Sequence, residues 1–132
     1  MKIKTSELTG AALDWAVAKC EGKDAVISRH HRMTGPEVHD RALIEMEVDG
    51  PTALSYSTDW EQGGPIIERN RINMMPMTPI PTPGDDREPY WLASDERVYD
   101  FKEGPTPLIA AMRCYVASKL GDEVEIPEEL AQ

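Results

Sequence analysis

The alternation of apolar and polar residues predicts a mixed fold in which two helices are the clearest elements. Over residues 10–20 the apolar side chains return every three or four positions, as on one face of a helix. Thr9 or Ser6 can cap the start of this helix, and Gly22 suits the left-handed position beyond its end. The stripe consists of Leu13, Ala16, Val17 and Cys20.

A second helix is predicted over residues 107–120. Thr106 is a favourable N-cap, Pro107 fits the first helical position, and Gly121 ends the pattern. The apolar positions again fall at helical spacing. They are Leu108, Met112, Tyr115, Val116 and Leu120.

Short runs of alternating or continuous apolar residues predict strands. These runs span residues 1–5, 24–28, 42–48, 65–69, 90–94 and 97–101, and the last two form a strand pair. The polar stretch 31–40 is broken by Gly35 and Pro36 and predicts a loop. Two helices with several short strands indicate an α+β fold with a small, mainly antiparallel sheet, forming one domain over residues 1–132.

Two further segments differ in character from the rest of the chain. Residues 74–89 contain five prolines, which lack the N–H donor that ladders and helices need, so a long mobile Pro-rich loop is expected. The prolines are Pro76, Pro79, Pro81, Pro83 and Pro89. Residues 122–132 carry acidic but no basic side chains, and a solvated acidic tail is expected there.

Charge and composition narrow the class of protein. The formal charge is −10, from 24 acidic and 14 basic residues, which argues against direct binding of nucleic acid through its phosphates. The acidic surplus fits either general solubility or a face that engages a basic partner.

Cys20 and Cys114 lack a paired motif and indicate reduced core residues. Because the sequence has no long apolar run, the expected location is the cytoplasm. The low apolar content of 40% allows burial of apolar surface to be completed in a homo-oligomer.

The sequence holds no motif that selects a reaction. Nucleophile-elbow, phosphate-loop and dinucleotide fingerprints are absent, so neither an enzyme nor a cofactor is expected. A histidine-rich stretch with nearby carboxylates is the one metal-like cluster, but its spacing matches no standard zinc pattern, and no metal site is expected. The cluster comprises His30, His31, His39, Glu37 and Asp40.

The stretch "STDWEQGGPIIER", residues 57–69, is the candidate site. Trp60 stands among polar residues, and periodicity does not account for it or for the two glycines that follow. One interpretation is a tight structural turn, since glycine accepts unusual backbone angles. The other is a ligand wall with an aromatic face, polar groups and bare backbone. The residues predicted to bind a ligand are Thr58, Asp59, Trp60, Gln62, Gly63, Gly64, Trp15 and Thr106.

Three blocks of sequence resemble the NinX family of small proteins from lambdoid and related tailed phages. They are "MKIKTSELTGAALDWAVAKCEG", "STDWEQGGPIIER" and "GPTPLIAAMRCYVASKLGDEVEIPEEL". The chain departs from the family over residues 28–52 and 74–89, and it has Tyr56 where members often carry proline. The resemblance implies a phage or prophage product acting inside the bacterium, without assigned catalytic residues.

Two functional hypotheses follow. In the first, the protein is a non-enzymatic binder that sequesters a small nucleotide-like ligand and thereby counteracts host defence signalling. Trp60 and the N-terminus of the last helix would line the pocket, because unpaired N–H groups there attract phosphate or carboxylate. The alternative is an acidic protein-interaction module that modulates a host or phage enzyme, with Trp60 as an interface anchor.

Overall fold

The computed structural model describes residues 1–29, 36–46, 53–84, 86–96 and 101–131. Within these residues the chain forms four α-helices and seven short strands, which is an α+β fold. In chain order the elements are β1 (Lys2–Lys4), α1 (Gly10–Cys20), β2 (Ala25–Arg29), β3 (Pro36–Asp40), α2 (Arg41–Glu45), α3 (Trp60–Asn70), β4 (Asn73–Met77), β5 (Tyr90–Ser94), β6 (Lys102–Gly104), α4 (Pro107–Leu120) and β7 (Glu123–Glu125), with 3₁₀ turns at Thr5–Glu7 and Glu128–Leu130.

Helix α4 lies at the centre of the molecule. It packs against α1, α3 and all three strands β4, β5 and β6. Its start is fixed by Thr106, whose hydroxyl accepts the N–H of Ile109 at 3.1 Å, and its end by Gly121, at φ 89°. The bounds predicted for α4 and α1 are confirmed, although Thr9 occupies the N-cap position of α1 without a capping hydrogen bond from its side chain.

The strands form three small antiparallel sheets instead of one. Strand β1 pairs with β7, β2 pairs with β3, and β4, β5 and β6 form a three-stranded sheet in that order. Met74, Trp91 and Ala93 pack against the core beneath this sheet. Next to them Gly104 lies so close to α4 that a Cβ would come within 2.5 Å of the Ala110 nitrogen.

Two predicted strands are helices. Residues 65–69 lie inside α3, because the Asp59 carboxylate caps a helix that starts at Trp60 and continues through Pro65. The segment predicted as a strand over 42–48 begins inside α2, which the Asp40 side chain caps through the N–H of Ala42 at 3.0 Å. Residues 47 and 48 lie outside the described part of the chain.

Two predicted loops contain strands. The segment 36–40 of the predicted 31–40 loop is β3, held by full pairing with β2, while 31–35 lie outside the described residues. The predicted Pro-rich loop 74–89 begins within β4, where Pro76 is tolerated because β4 is an edge strand of its sheet. Strand β5, predicted as "YWLAS", is confirmed, but it pairs with β4 and β6. Residues 97–100 of its predicted partner lie outside the described chain.

The acidic segment 122–132 is not a solvated tail over its described part. Val124 and Ile126 alternate with acidic residues and are buried, and Leu130 of the terminal 3₁₀ turn is buried as well. Pairing of β7 with β1 fixes this segment to the N-terminal strand. The acidic residues dominate the composition, whereas the alternate apolar positions determine where the segment lies.

Candidate functional site

Polar side chains of the candidate stretch hold the start of α3 in place. One Asp59 oxygen accepts the N–H of Glu61 at 3.0 Å and the other accepts from the Gln62 amide at 3.3 Å. The Gln62 amide also accepts the N–H of Ser55 at 2.8 Å and donates to the carbonyl of Ala53 at 3.2 Å. Asp59 and Gln62 therefore fix the entry to the helix, and their hydrogen-bonding capacity is largely used within the protein.

Gly63 and Gly64 are each explained by a different structural requirement. A Cβ on Gly63 would come within 2.5 Å of the Tyr56 carbonyl and 2.6 Å of a Leu108 methyl, so α3 and the first turn of α4 touch at bare backbone. A Cβ on Gly64 would meet nothing within 4 Å. Gly64 precedes Pro65, and a residue without Cβ removes the clash that disfavours helical geometry before proline. The Gly-Gly-Pro sequence thus continues a helix where a turn was expected.

Trp60 remains without a packing role that explains it. It is the first residue of α3, not part of a loop, and 51% of its surface is exposed. Thr58 beside it is exposed as well. The rigid contacts of Asp59 and Gln62 present this indole on a fixed backbone.

The other two predicted site residues lie on neighbouring helices. Trp15 of α1 is half-buried at the core edge, and the Lys19 ammonium lies 5.1 Å from its ring centroid. Thr106 is exposed and caps α4. The structure therefore brings the starts of α3 and α4 together through Gly63. Contact of any of the eight residues with a ligand stays a prediction.

Sequence reasoning missed a buried carboxylate next to this stretch. Asp14 of α1 is 7% exposed and accepts the N–H of Ser57 at 2.8 Å. Burial raises the pKa of Asp14 to about 6, and hydrogen bonding from Ser57 partly offsets that effect. Asp14 sits among the apolar positions of the α1 pattern, which is the one signal that could have revealed it.

A second polar cluster joins three helices. The Glu21 carboxylate at the end of α1 accepts from the Arg69 guanidinium of α3 and from the Tyr115 hydroxyl of α4, each at 2.6 Å. Burial and the hydrogen bond to Glu21 raise the pKa of Tyr115 to about 12. These residues are far apart in sequence, and no spacing rule connects them.

A polar cavity of about 280 Å³ opens at the C-terminal ends of α3 and α4. Its lining includes three cationic side chains from an otherwise acidic chain. The lining residues are Arg69, Asn70, Arg71, Asp95, Glu96, Ser118 and Lys119. A second cavity of about 550 Å³ shares Arg71, Asp95 and Glu96 and adds Phe101, whose surface is 45% exposed.

The histidine-rich stretch is described only in part. His39 is buried in β3, with Nε2 3.4 Å from a Glu37 carboxylate oxygen, whereas His30 and His31 lie outside the described residues. Over the described residues no group of three or more His, Cys, Asp or Glu side chains is arranged to hold a metal. Cys20 is half-buried and Cys114 is buried.

The fold and these surfaces define a small acidic α+β protein with an exposed tryptophan and a mixed-charge cavity. The model of the family described as Bacteriophage P22, NinX matches residues 4–119, most of the chain. The chain belongs to this phage family. No curated protein matches it. In the part of the chain that the structure describes, no helix has the length and apolarity needed to cross a membrane.

Proposed function

We propose that this phage protein is a non-enzymatic binding module that docks on a protein partner with a basic surface. The observation that carries the proposal is Trp60, a large aromatic side chain half exposed at the start of α3 and held on a rigid backbone. Tryptophan is enriched among the residues that dominate binding energy in protein interfaces. Pre-organised anchors also lose little entropy on binding.

The charge around Trp60 supports a basic partner. Glu61, which follows it, is exposed, and the whole chain carries a formal charge of −10. A negative surface speeds encounter with a positive one and raises the cost of association with acidic proteins. Binding should therefore weaken as salt concentration rises.

The test compares two variants in the host lysate and then with the purified partner. Trp60→Ala should abolish capture of a stoichiometric, salt-sensitive partner, while Ile80→Ala, which alters a side chain 79% exposed on the Pro-rich loop, should retain it. Affinity should fall by about thirtyfold or more, as for an interface hot spot. Equal affinity of Trp60→Ala and the unchanged protein for the same partner would refute the proposal.

The second candidate function is sequestration of a small nucleotide-like ligand, which would serve to counteract host defence signalling. The cavity favours this candidate through Lys119, because cationic side chains bind phosphate, whereas Arg69 and Arg71 of its lining are paired with Glu21 and Glu96. Trp60 lies nine residues before Arg69, roughly 14 Å along the helix axis, so the two candidate sites lie at opposite ends of α3. The two candidate sites can be tested separately.

Calorimetric titration with nucleotides, cyclic dinucleotides and ADP-ribose derivatives tests the second candidate. Binding that is weakened by Lys119→Gln and unchanged by Trp60→Ala would support a ligand in the cavity. Lys4→Gln, at an exposed lysine on β1, is the matched control for the loss of one charge. If no compound of the panel binds, sequestration of a nucleotide-like ligand is excluded for these compounds.

A further inference from the structure

Helix α3 presents an exposed ridge made of Trp60, Gly64 and Glu68. Residues four positions apart are neighbours on a helix surface, so these three positions form one row along α3. The Trp60 indole is half exposed and the Glu68 side chain is exposed. The two buried residues of α3, Gly63 and Ile66, belong to another face of the helix. The ridge is therefore open to another molecule.

Gly64 leaves a gap in the middle of this ridge. A Cβ on Gly64 would meet nothing within 4 Å, so the side chains of Trp60 and Glu68 do not fill the space above it. The helical rise places each of these two residues about 6 Å from Gly64 along the axis. The gap, bounded by Trp60, Glu68 and the bare backbone of Gly64, is called the Gly64 notch below. A side chain of another molecule can approach the backbone of α3 there.

Glu68 supplies an uncompensated negative charge at one end of the notch. Its carboxylate makes no ion pair with any residue in the described part of the chain. The two arginines that follow it on α3 are already engaged. Arg69 pairs with Glu21 and Arg71 pairs with Glu96. Because helical side chains lean toward the N-terminus of their helix, the Glu68 carboxylate leans toward the notch.

An arginine side chain fits this combination of groups. Long basic side chains lay their aliphatic stem along apolar surface and keep the charged head among polar groups. In the Gly64 notch the stem lies between the Trp60 indole and the bare backbone, and the head meets the Glu68 carboxylate. Arginine suits the site better than lysine, because its planar fork matches a carboxylate and its charge is more weakly hydrated.

We propose that the Gly64 notch receives an arginine side chain of a basic protein partner, with Trp60 against its stem and Glu68 against its guanidinium. This inference rests on the proposed function, because it specifies the chemistry by which a partner engages Trp60. Glu61 is exposed but belongs to the neighbouring row of the helix, so it adds general attraction without bounding the notch.

Nuclear magnetic resonance titration with short peptides tests the notch without the partner. The probes are Gly-Ser peptides that carry a single central arginine, lysine or citrulline. The readout is the indole N–H resonance of Trp60, assigned by its disappearance in Trp60→Ala. The arginine peptide should shift this resonance saturably, with a dissociation constant of about 1 mM for one contact. The lysine peptide should bind more weakly, and the citrulline peptide, which has a similar shape without the charge, should not bind.

Glu68→Gln should raise the dissociation constant of the arginine peptide about tenfold, because the charge-assisted hydrogen bonds are lost. Glu61→Gln is the matched control, since it removes the same charge from an exposed position of the same helix outside the notch. It should change the dissociation constant by less than about twofold at physiological salt, where separated surface charges are screened. The absence of a saturable shift, equal binding of the citrulline peptide or equal effects of the two substitutions would overturn the proposal.

The partner captured through Trp60 separates this inference from the proposed function. Loss of that partner in Trp60→Ala and about tenfold weaker binding in Glu68→Gln would support both. If Trp60→Ala loses the partner and Glu68→Gln binds it with unchanged affinity, the proposed function stands and the arginine contact is wrong. If Trp60→Ala keeps the partner, the proposed function is wrong, and the peptide titration alone decides whether the notch binds arginine.

Discussion

Helices α3 and α4 begin alike but differ in their surroundings. Each starts behind a side-chain cap, Asp59 in α3 and Thr106 in α4. In α4 seven residues are buried, whereas α3 buries only Gly63 and Ile66. Core packing therefore restricts which residue types can stand at most positions of α4, whereas most positions of α3 are not restricted in this way. An exposed tryptophan on the less constrained helix is more informative about function than any residue of the packed one.

Met112 at the centre of α4 should give the largest effect. Its side chain is fully buried, so Met112→Ala leaves a cavity as well as losing apolar burial. We expect a loss of about 2–5 kcal/mol in the free energy of unfolding, measured by urea denaturation. Met46→Ala, at a methionine 67% exposed, should change it by less than about 0.5 kcal/mol. Equal effects at the two methionines would contradict the central position of α4.

Gly63 should give the next largest effect, because it is where the two helices touch. The new Cβ of Gly63→Ala would overlap the Tyr56 carbonyl and a Leu108 methyl, and one of these contacts is backbone that cannot rotate away. We expect a loss of about 3 kcal/mol in the free energy of unfolding, as for an overpacked core. Gly64→Ala is the matched control and should cost less than Gly63→Ala, because its Cβ meets nothing beyond its chain neighbours and only the steric restriction before Pro65 opposes it. Similar losses would show that the helices do not meet at Gly63.

The difference between α3 and α4 also explains which elements could be predicted from the sequence. The bounds of α1 and α4 were predictable because cap, periodicity and terminating glycine all lie within each segment. Helix α3 was predicted as a turn and a strand because Gly63, Gly64 and Pro65 are poor helix formers. Tertiary contacts decide its structure instead: Gly63 packs against α4, and Gln62 anchors Ser55. Local propensity cannot reveal such contacts.

The candidate site was predictable to a similar extent. Trp60 was singled out because it fits no apolar stripe, and its exposure agrees with that analysis. The hydrogen bonds that occupy the polar groups of Asp59 and Gln62 were not predicted, because they form only when residues 60–70 are helical. Asp14 and Ser57 are 43 residues apart, and only the fold brings them together.

Asp14 makes stability depend on pH, in the direction opposite to that of a salt-bridged carboxylate. Its pKa is raised by burial to about 6 in the folded protein, against about 3.9 in an unfolded chain. The folded state therefore binds the proton more tightly between these values. The stabilisation from protonated Asp14 is complete below about pH 4 and is lost as pH rises through about 6, a loss of about 3 kcal/mol.

Asp14→Asn tests this dependence because the amide can still accept the Ser57 N–H but does not ionise. Relative to the variant, the unchanged protein should lose about 5 °C or more in melting temperature between pH 4 and pH 7.5. Other carboxylates, such as Glu125, whose pKa is lowered by its pairing with the N-terminal amine, contribute equally to both proteins. Parallel melting curves for the two proteins would show that Asp14 is not buried in the folded state.

Trp60→Ala should affect stability less than Met112→Ala, Gly63→Ala or the ionisation of Asp14, and so gives the sharpest contrast between the two helices. Half of the indole is already in water, and alanine is a better helix former at this position. We expect a loss of about 1 kcal/mol, a shift of a few degrees in melting temperature. A core tryptophan would cost about 3–5 kcal/mol and lower the midpoint by more than about 10 °C. A drop of that size would show that Trp60 stabilises α3 and would remove the case for an interaction anchor. A small shift in melting temperature together with lost partner binding would show that Trp60 is needed for binding but not for folding.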